Sequence, residues 1–465
     1  MCRWLHVGGM TGERLDEILS AVRDGAQAFL KTVAERPVAA PREALRAVSF
    51  PALPDQGWGT TRALDYFRAN LEPLLSGSAG PRYLGFVTGG STPAALAGDW
   101  LAAAYDQNVS SDGDSIATGV ERHTLAMLRA LFGVPDSFEG AFVSGATQAN
   151  VVALATARQW AYARIGIDVS EAGLTGAPPI AVLAGAPHAS IDKAVSILGM
   201  GRRCIERISL VEGRAVIDPA ALDAHLKARA YAAPCIVSAS AGEVNTGDFD
   251  DLRAVAEVAR RHGAWLHVDG AFGLFAAADP AYAHLVDGLE LADSIASDAH
   301  KWLNVPYDSG FVFTRHLTDQ ERVFRAAGAY LGAGPDLLHR TPENSRRFRA
   351  LPAWMTLMAY GREGYRELVH RCCEHARRLG EHLRASGSFE LLADVHLNIV
   401  CFAPRSREVR DRDRVLEAIH AGGRAFFTPT LYAGRPAIRA AFSNWSTTAD
   451  DIAIVARALD EAGAL

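Results

Sequence analysis

The sequence predicts an α/β fold: a mostly parallel central sheet, a helical N-terminal segment and a small C-terminal α+β domain. Three observations predict it. Short apolar runs bounded by turn residues recur between residues 140 and 313, with helical patterns between them. Those runs are continuous rather than alternating, as expected of strands covered on both faces. The chain before residue 81 shows only helical spacing, and the chain after residue 350 opens on one long helical pattern.

Each element follows from local pattern. Leu15, Ile18, Leu19, Val22 and Ala26 stand at helical spacing, and Thr60 to Leu75 repeats it. Residues 11 to 80 are therefore expected to be helical, ending at the breaker cluster Gly77-Ser78-Ala79-Gly80-Pro81. Residues 81–350 form the expected large domain. Its strands fall at Gly140 to Val143, Ile180 to Ala184, Cys235 to Ala239, Ala264 to Val268, Ser294 to Ala296 and Gly310 to Phe313. Its helices include Gln148 to Ala157, Ile191 to Leu198 and Leu252 to His262. Residues 316 to 350 are rich in charge, glycine and proline, and Arg325 to Pro335 is a candidate lid. In the expected C-terminal domain, 351–465, a long helix over Pro352 to Ala385 precedes strands near Leu397 to Ala403 and Ala437 to Phe442.

Composition excludes several classes. Apolar residues make up 49% and charged residues 22% of 465, an ordinary globular balance. A net charge of -6 gives no basic footprint for nucleic acid or an anionic membrane. No apolar run approaches the roughly 18 residues of a membrane span. Met1 to Val7 lacks the apolar core of a signal peptide. The six cysteines have no metal-ligand spacing, so no metal site is expected. They read as reduced thiols of a cytoplasmic protein.

The chemistry starts at Lys301, in Ser297-Asp298-Ala299-His300-Lys301-Trp302-Leu303-Asn304, just after an apolar run. Asp269 ends the buried-looking strand Trp265-Leu266-His267-Val268, 32 residues earlier. A lysine and an aspartate at two strand ends suit pyridoxal phosphate (PLP), which needs an amine for its aldehyde and a carboxylate for its ring nitrogen. An amine in an apolar setting is also a better nucleophile, because burial disfavours its charged form. Each residue has a plainer reading by itself: a loop lysine, and a turn or helix-capping aspartate.

Three stretches add to the pair. Phe142 to Asn150 reads strand, tight turn, helix, and a helix N-terminus holds phosphate well. Ala146 and Thr147 would supply backbone and hydroxyl donors there. His188 precedes a helix, where its ring could stack on the cofactor and donate to a substrate carboxylate; a non-catalytic histidine near a helix start is the alternative. Gly242 to Asp250 follows a strand at the sheet edge where open α/β proteins bind ligands. A plain strand-to-helix loop fits it equally.

Together these stretches resemble the group II PLP-dependent amino-acid decarboxylases, of which the aromatic-L-amino-acid decarboxylases are best known. Pro81-Arg82-Tyr83-Leu84-Gly85-Phe86 with Ser91-Thr92-Pro93-Ala94 is similar to the family's substrate-side segment. His188-Ala189-Ser190, His267-Val268-Asp269 and His300-Lys301-Trp302-Leu303-Asn304 resemble its cofactor motifs. Arg346 to Leu351 with Trp354, and Asn444-Trp445-Ser446-Thr447-Thr448, resemble its later signatures. The resemblance implies the aspartate-aminotransferase fold (fold type I) and a homodimer with sites at the subunit interface. It implies cofactor contacts at Thr246, Ala271, Asp298 and His300 beside those already named, and substrate contacts at Phe86 and Thr88. It also makes Tyr330 the counterpart of the family's mobile-loop tyrosine, which returns a proton to carbon after CO2 leaves.

The expected reaction is decarboxylation of an L-amino acid to its amine and CO2, with catalytic residues Lys301, Asp269, His188 and Tyr330. An aromatic substrate is the favoured class; an acidic side chain or a diamine stays open. An aldehyde synthase, an aminotransferase or a carbon–carbon lyase on the same fold is the alternative, and a non-catalytic relative is the third reading. Two departures stand out. Val244 occupies the place of a family threonine and cannot donate a hydrogen bond. Ser76 to Gly80 lacks the extra aromatic residues of aromatic-specific members.

Overall fold

The computed structural model describes residues 13–231, 234–326 and 336–464. Its centre is a seven-stranded sheet. The strands are β1 (Glu139–Val143), β2 (Val182–Ala184), β3 (Ile205–Arg207), β4 (Ile236–Ser240), β5 (Trp265–Asp269), β6 (Ser294–Asp298) and β7 (Gly310–Thr314). They lie in the order β1-β7-β6-β5-β4-β2-β3. β3, β2, β4, β5 and β6 pair in parallel, and β7 runs antiparallel to both β6 and β1. The mostly parallel sheet is thus as expected. β5, β6 and β7 are buried at every position, which is why their sequences do not alternate.

Helices cover the sheet. Ala146–Ala163 packs against β5, β6 and β7, and its alanines and valines let it lie close. Leu252–Arg261 starts at Asp251, whose carboxylate accepts the Ala254 N–H at 2.9 Å. It turns Leu252, Val255, Ala256, Val258 and Ala259 into the core. The long helix appears as Ala350–Ala385, interrupted at Gly361 by non-helical backbone (φ 60°, ψ -170°). Pro93–Tyr105 packs on it so closely that a Cβ at Gly98 would lie 2.8 Å from the Pro352 Cα.

A second sheet lies in the C-terminal region: β8 (Phe389–Leu391), β9 (Ile399–Pro404), β10 (Thr428–Tyr432) and β11 (Arg435–Ala441). It is antiparallel, in the order β10-β11-β9-β8. β10 and β11 are joined through Ala433 and Gly434, both at positive φ, as a two-residue hairpin turn requires.

The N-terminal segment is helical only in part. Leu15–Thr32, Arg42–Ala47 and Thr60–Asn70 are helices, and none of them buries a residue. Residues 48 to 59 between the last two carry no helix; Pro51 and Pro54 remove backbone donors there. Among the described residues no helix is long and apolar enough to cross a membrane. The proposed lid lies largely outside the described residues, Tyr330 included; its flanks are the helix Leu317–Phe324 and the short turn Leu337–His339.

Candidate active site

β1, β4, β5 and β6 all run the same way, and the segments following their carboxyl ends meet at one cavity of about 360 Å³. Ser144 to Gln148 come from the turn after β1 and the helix start, His188 from the loop after β2, Ser190 from the start of the helix that follows it, and Val244 from after β4. Ala271 follows β5, and Asp298, His300 and Lys301 close β6. This is the sheet edge where α/β proteins bind ligands.

Lys301 sits 2.9 Å from Asp298, Nζ to Oδ2, with side chains 18% and 5% exposed. The other oxygen of Asp298 accepts the Ala146 N–H at the start of the long helix. One carboxylate therefore ties the lysine to a helix N-terminus. The N–H groups of Thr147 and Gln148, in the first turn, have no intrahelical acceptor. The turn is tight at Gly145, where a Cβ would lie 3.1 Å from Asp298 Oδ1 and 3.2 Å from His300 Cε1. His300 donates from Nδ1 to the Ser309 carbonyl at 2.8 Å, and burial holds its pKa below the usual range. On the other side, Gly89 meets Lys301: a Cβ there would stand 1.7 Å from its carbonyl oxygen, so only glycine fits.

Asp269 is buried at the end of β5. It accepts Asn150 Nδ2 at 3.0 Å and the Ala271 N–H at 3.2 Å. It is not among the cavity-lining residues; Asn150 joins it to Ser190, which is. His188 caps the next helix, its Nδ1 2.8 Å from Ser190 Oγ, and burial lowers its pKa.

The structure therefore gathers Phe86, Ala146, Thr147, His188, Ala271, Asp298, His300 and Lys301 around one space. Phe86 stands there at positive φ (55°), a position that costs a non-glycine residue. Thr88 is buried outside the lining. Thr246 is not brought in either. Its hydroxyl donates to Glu243 at 3.0 Å, and that buried glutamate also accepts the N–H groups of Asn245 and Thr246. Val244 lines the cavity instead. Tyr330 lies outside the described residues.

Sequence reasoning missed Arg439, Asn150 and Gln148. Arg439 comes from β11, so the small sheet delivers a cation to the edge of the large one. Its Nη1 donates to the Val244 carbonyl at 2.7 Å, its Nε has no partner among the described residues, and burial lowers its pKa. An arginine inside the apolar run Ala437 to Phe442 was the available signal. The residues present fit PLP: an amine in the cavity, free N–H groups at a helix start, and a buried carboxylate at the end of β5, the strand beside β6.

Comparison with known proteins agrees. Residues 44–405 match the family model described as "Pyridoxal-dependent decarboxylase conserved domain". The chain is 29% identical over 378 residues to the aromatic-L-amino-acid decarboxylase of Bacillus atrophaeus, covering 79% of this chain and 76% of that one. It is likewise 29% identical over 363 residues to human cysteine sulfinic acid decarboxylase, covering 75% and 72%. Among solved structures, Oryza sativa TDC with PLP and tryptamine superposes with a TM-score of 0.89 at 24% identity, covering 99% of each chain. That likeness shows the shared fold, which is fold type I.

Proposed function

The chain belongs to the pyridoxal-dependent decarboxylase family and is a PLP-dependent carboxy-lyase, and from that premise we propose that it converts an L-amino acid to its amine and CO2 at the cavity around Lys301. The carrying observation is the Lys301 amine, 2.9 Å from Asp298, beside the free first-turn N–H groups of Thr147 and Gln148.

Bound PLP supplies an electron sink for the bond broken at the substrate Cα. Lys301 would hold its aldehyde carbon, Asp269 its ring nitrogen, and the free N–H groups of Thr147 and Gln148 its phosphate, since the expected Ala146 donor is taken by Asp298. Asp298 keeps the lysine amine aimed at the cavity. His188, which lines the cavity, would lie against the ring. The Tyr330 hydroxyl would supply the proton that Cα takes up in place of the lost CO2. Fixed position and fixed charge at these groups carry most of the rate.

An aromatic substrate is the leading class, supported by Phe86 on the cavity wall and by the Bacillus atrophaeus relative. An acidic side chain is the second reading, supported by Arg439: a buried cation with an unpartnered Nε would pair with a second carboxylate. The chain is proposed to act as a homodimer with its sites at the interface. The helix Leu15–Thr32 leaves Leu15, Leu19, Val22 and Leu30 exposed, a face that a second copy would cover. The divisions after residues 80 and 350 are part of the same proposal, as is a cytoplasmic location.

The test is a panel of the common amino acids with dihydroxyphenylalanine, cysteine sulfinate and diaminobutyrate, following amine, aldehyde and CO2. Amine and CO2 in equal amounts are expected from one class. Aldehyde in place of amine, or turnover without CO2, would replace the reading with an aldehyde synthase or an aminotransferase. Lys301→Ala should lose both the visible cofactor band and turnover; a variant keeping both would remove Lys301 from its role.

A further inference from the structure

Behind the cavity wall runs a chain of buried polar side chains whose protons can be counted. Asn150 Nδ2 lies 3.0 Å from Asp269 Oδ2 and 3.0 Å from Ser190 Oγ. Asn150 Oδ1 lies 2.9 Å from His267 Nε2. His267 Nδ1 is 3.0 Å from Ser294 Oγ, which also accepts Trp265 Nε1–H at 3.0 Å. Ser190 Oγ and the Ser190 N–H stand 2.8 and 3.2 Å from His188 Nδ1.

The carboxylate of Asp269 only accepts, so the amide nitrogen of Asn150 must face it, and the amide oxygen must face His267. His267 then carries its proton on Nε2. Its Nδ1 accepts from the Ser294 hydroxyl, which is free to donate because the indole supplies its own proton. Ser190 Oγ is taken as acceptor by the Asn150 amide, so its hydroxyl proton goes to His188 Nδ1. The Ser190 N–H points at the same nitrogen. His188 must therefore hold its proton on Nε2, which has no partner among the described residues, and the ring lines the cavity.

We propose that Asn150 is the positioning residue that sets both groups beside the cofactor: it fixes the Asp269 carboxylate and, through Ser190, holds His188 as the Nε2–H tautomer, so that the ring presents a donor to the cavity. The role rests on the decarboxylase reading above; the tautomer does not. A donor there suits the carboxylate of an amino-acid substrate, whereas the other tautomer would set a lone pair against it.

The experiment uses the full chain labelled with 15N-histidine, without and with PLP, with His188 assigned by comparison with His188→Gln. In the wild type the Nε2–H pattern is expected in both states. Ser190→Ala, which leaves Asn150 and Asp269 in place, should shift His188 toward a mixture of tautomers, and Ser190→Thr should restore it. Asn150→Ala should do the same and also move the pH dependence of the holoenzyme's visible band by about one unit. For both alanine variants kcat should fall about tenfold with KM changed less, as expected for loss of one hydrogen bond to a charged or reacting group. If Asn150→Ala does not fold, Ser190→Ala decides. A proton on Nδ1 in the wild type, or a Ser190→Ala spectrum identical to it, overturns the inference. Failure is separable from failure of the functional reading: the spectrum of the cofactor-free chain tests the network, and CO2 release tests the reaction.

Discussion

Glu121 and Arg346 form a buried ion pair with side chains 0% and 1% exposed; Lys301 and Asp298 form another at 18% and 5%. The first is closed by the fold. Arg346 donates to both Glu121 oxygens, at 2.7 and 3.2 Å, and to the carbonyls of Val109 and Phe142. Glu121 in turn accepts the Phe142 N–H, locking the helix Ala117–Phe132 to β1. One atom, Arg346 Nε, lacks a partner among the described residues. The second pair is open. Lys301 Nζ has Asp298 on one side and the cavity on the other. A charge whose partners are all supplied by the fold holds the fold; a charge left short of partners at a cavity is available to a ligand.

The comparison breaks most visibly at Arg346. Arg346→Met strands a buried carboxylate, and the expected cost is about 3–5 kcal/mol, read as a lower urea midpoint at unchanged slope. Lys301→Met should leave the cofactor-free chain about as stable as the wild type while ending turnover. Equal losses of stability in the two variants would show that both pairs are structural.

A second effect, somewhat smaller, separates the clusters by pH. His267 is wholly buried, and burial is the main cause that pushes its pKa down to about 4. The unfolded chain holds this proton below about pH 6.5, so it binds more protons than the folded chain does. The stabilising effect of the neutral ring is therefore complete above pH 6.5 and is lost as pH falls toward 4. That amounts to about 3 kcal/mol. His267→Gln keeps a polar partner for Asn150 and should flatten this part of the stability profile. A profile between pH 4 and 6.5 that matches the wild type would remove His267 as its source.

What the sequence made legible follows from the same contrast. β5 and β6 were readable because burial on both faces leaves continuous apolar runs, and Asp269 and Lys301 stand out against them. β3 was missed because Ile205-Glu206-Arg207 is a half-exposed edge strand with no apolar run. β8 and β10 were missed because they are short or alternate. Asn150 was hidden in a different way: a polar residue in a helix reads as its solvent face, yet it is fully buried. Arg439 could not be placed because only the packing of the small sheet on the large one brings it to the cavity. Thr246 was expected at the cofactor from the resemblance alone; its hydroxyl bonds Glu243, and it does not line the cavity.

The smallest effect is expected at Val244, where the open cluster departs from the family pattern. Its side chain lines the cavity, and its carbonyl holds Arg439 at 2.7 Å. Val244→Thr keeps the shape and the carbonyl but adds one hydroxyl. A single neutral hydrogen bond is worth about 0.5–1.5 kcal/mol, so kcat/KM should change by about tenfold at most. The sign depends on the substrate. A hydroxyl in the wall favours a polar or acidic side chain and disfavours an aromatic one. Measuring kcat/KM for one substrate of each class in wild type and Val244→Thr reads that sign directly. A change of about a hundredfold or more for either would mean that this one position, rather than Arg439 and Phe86 together, decides what the open cluster accepts.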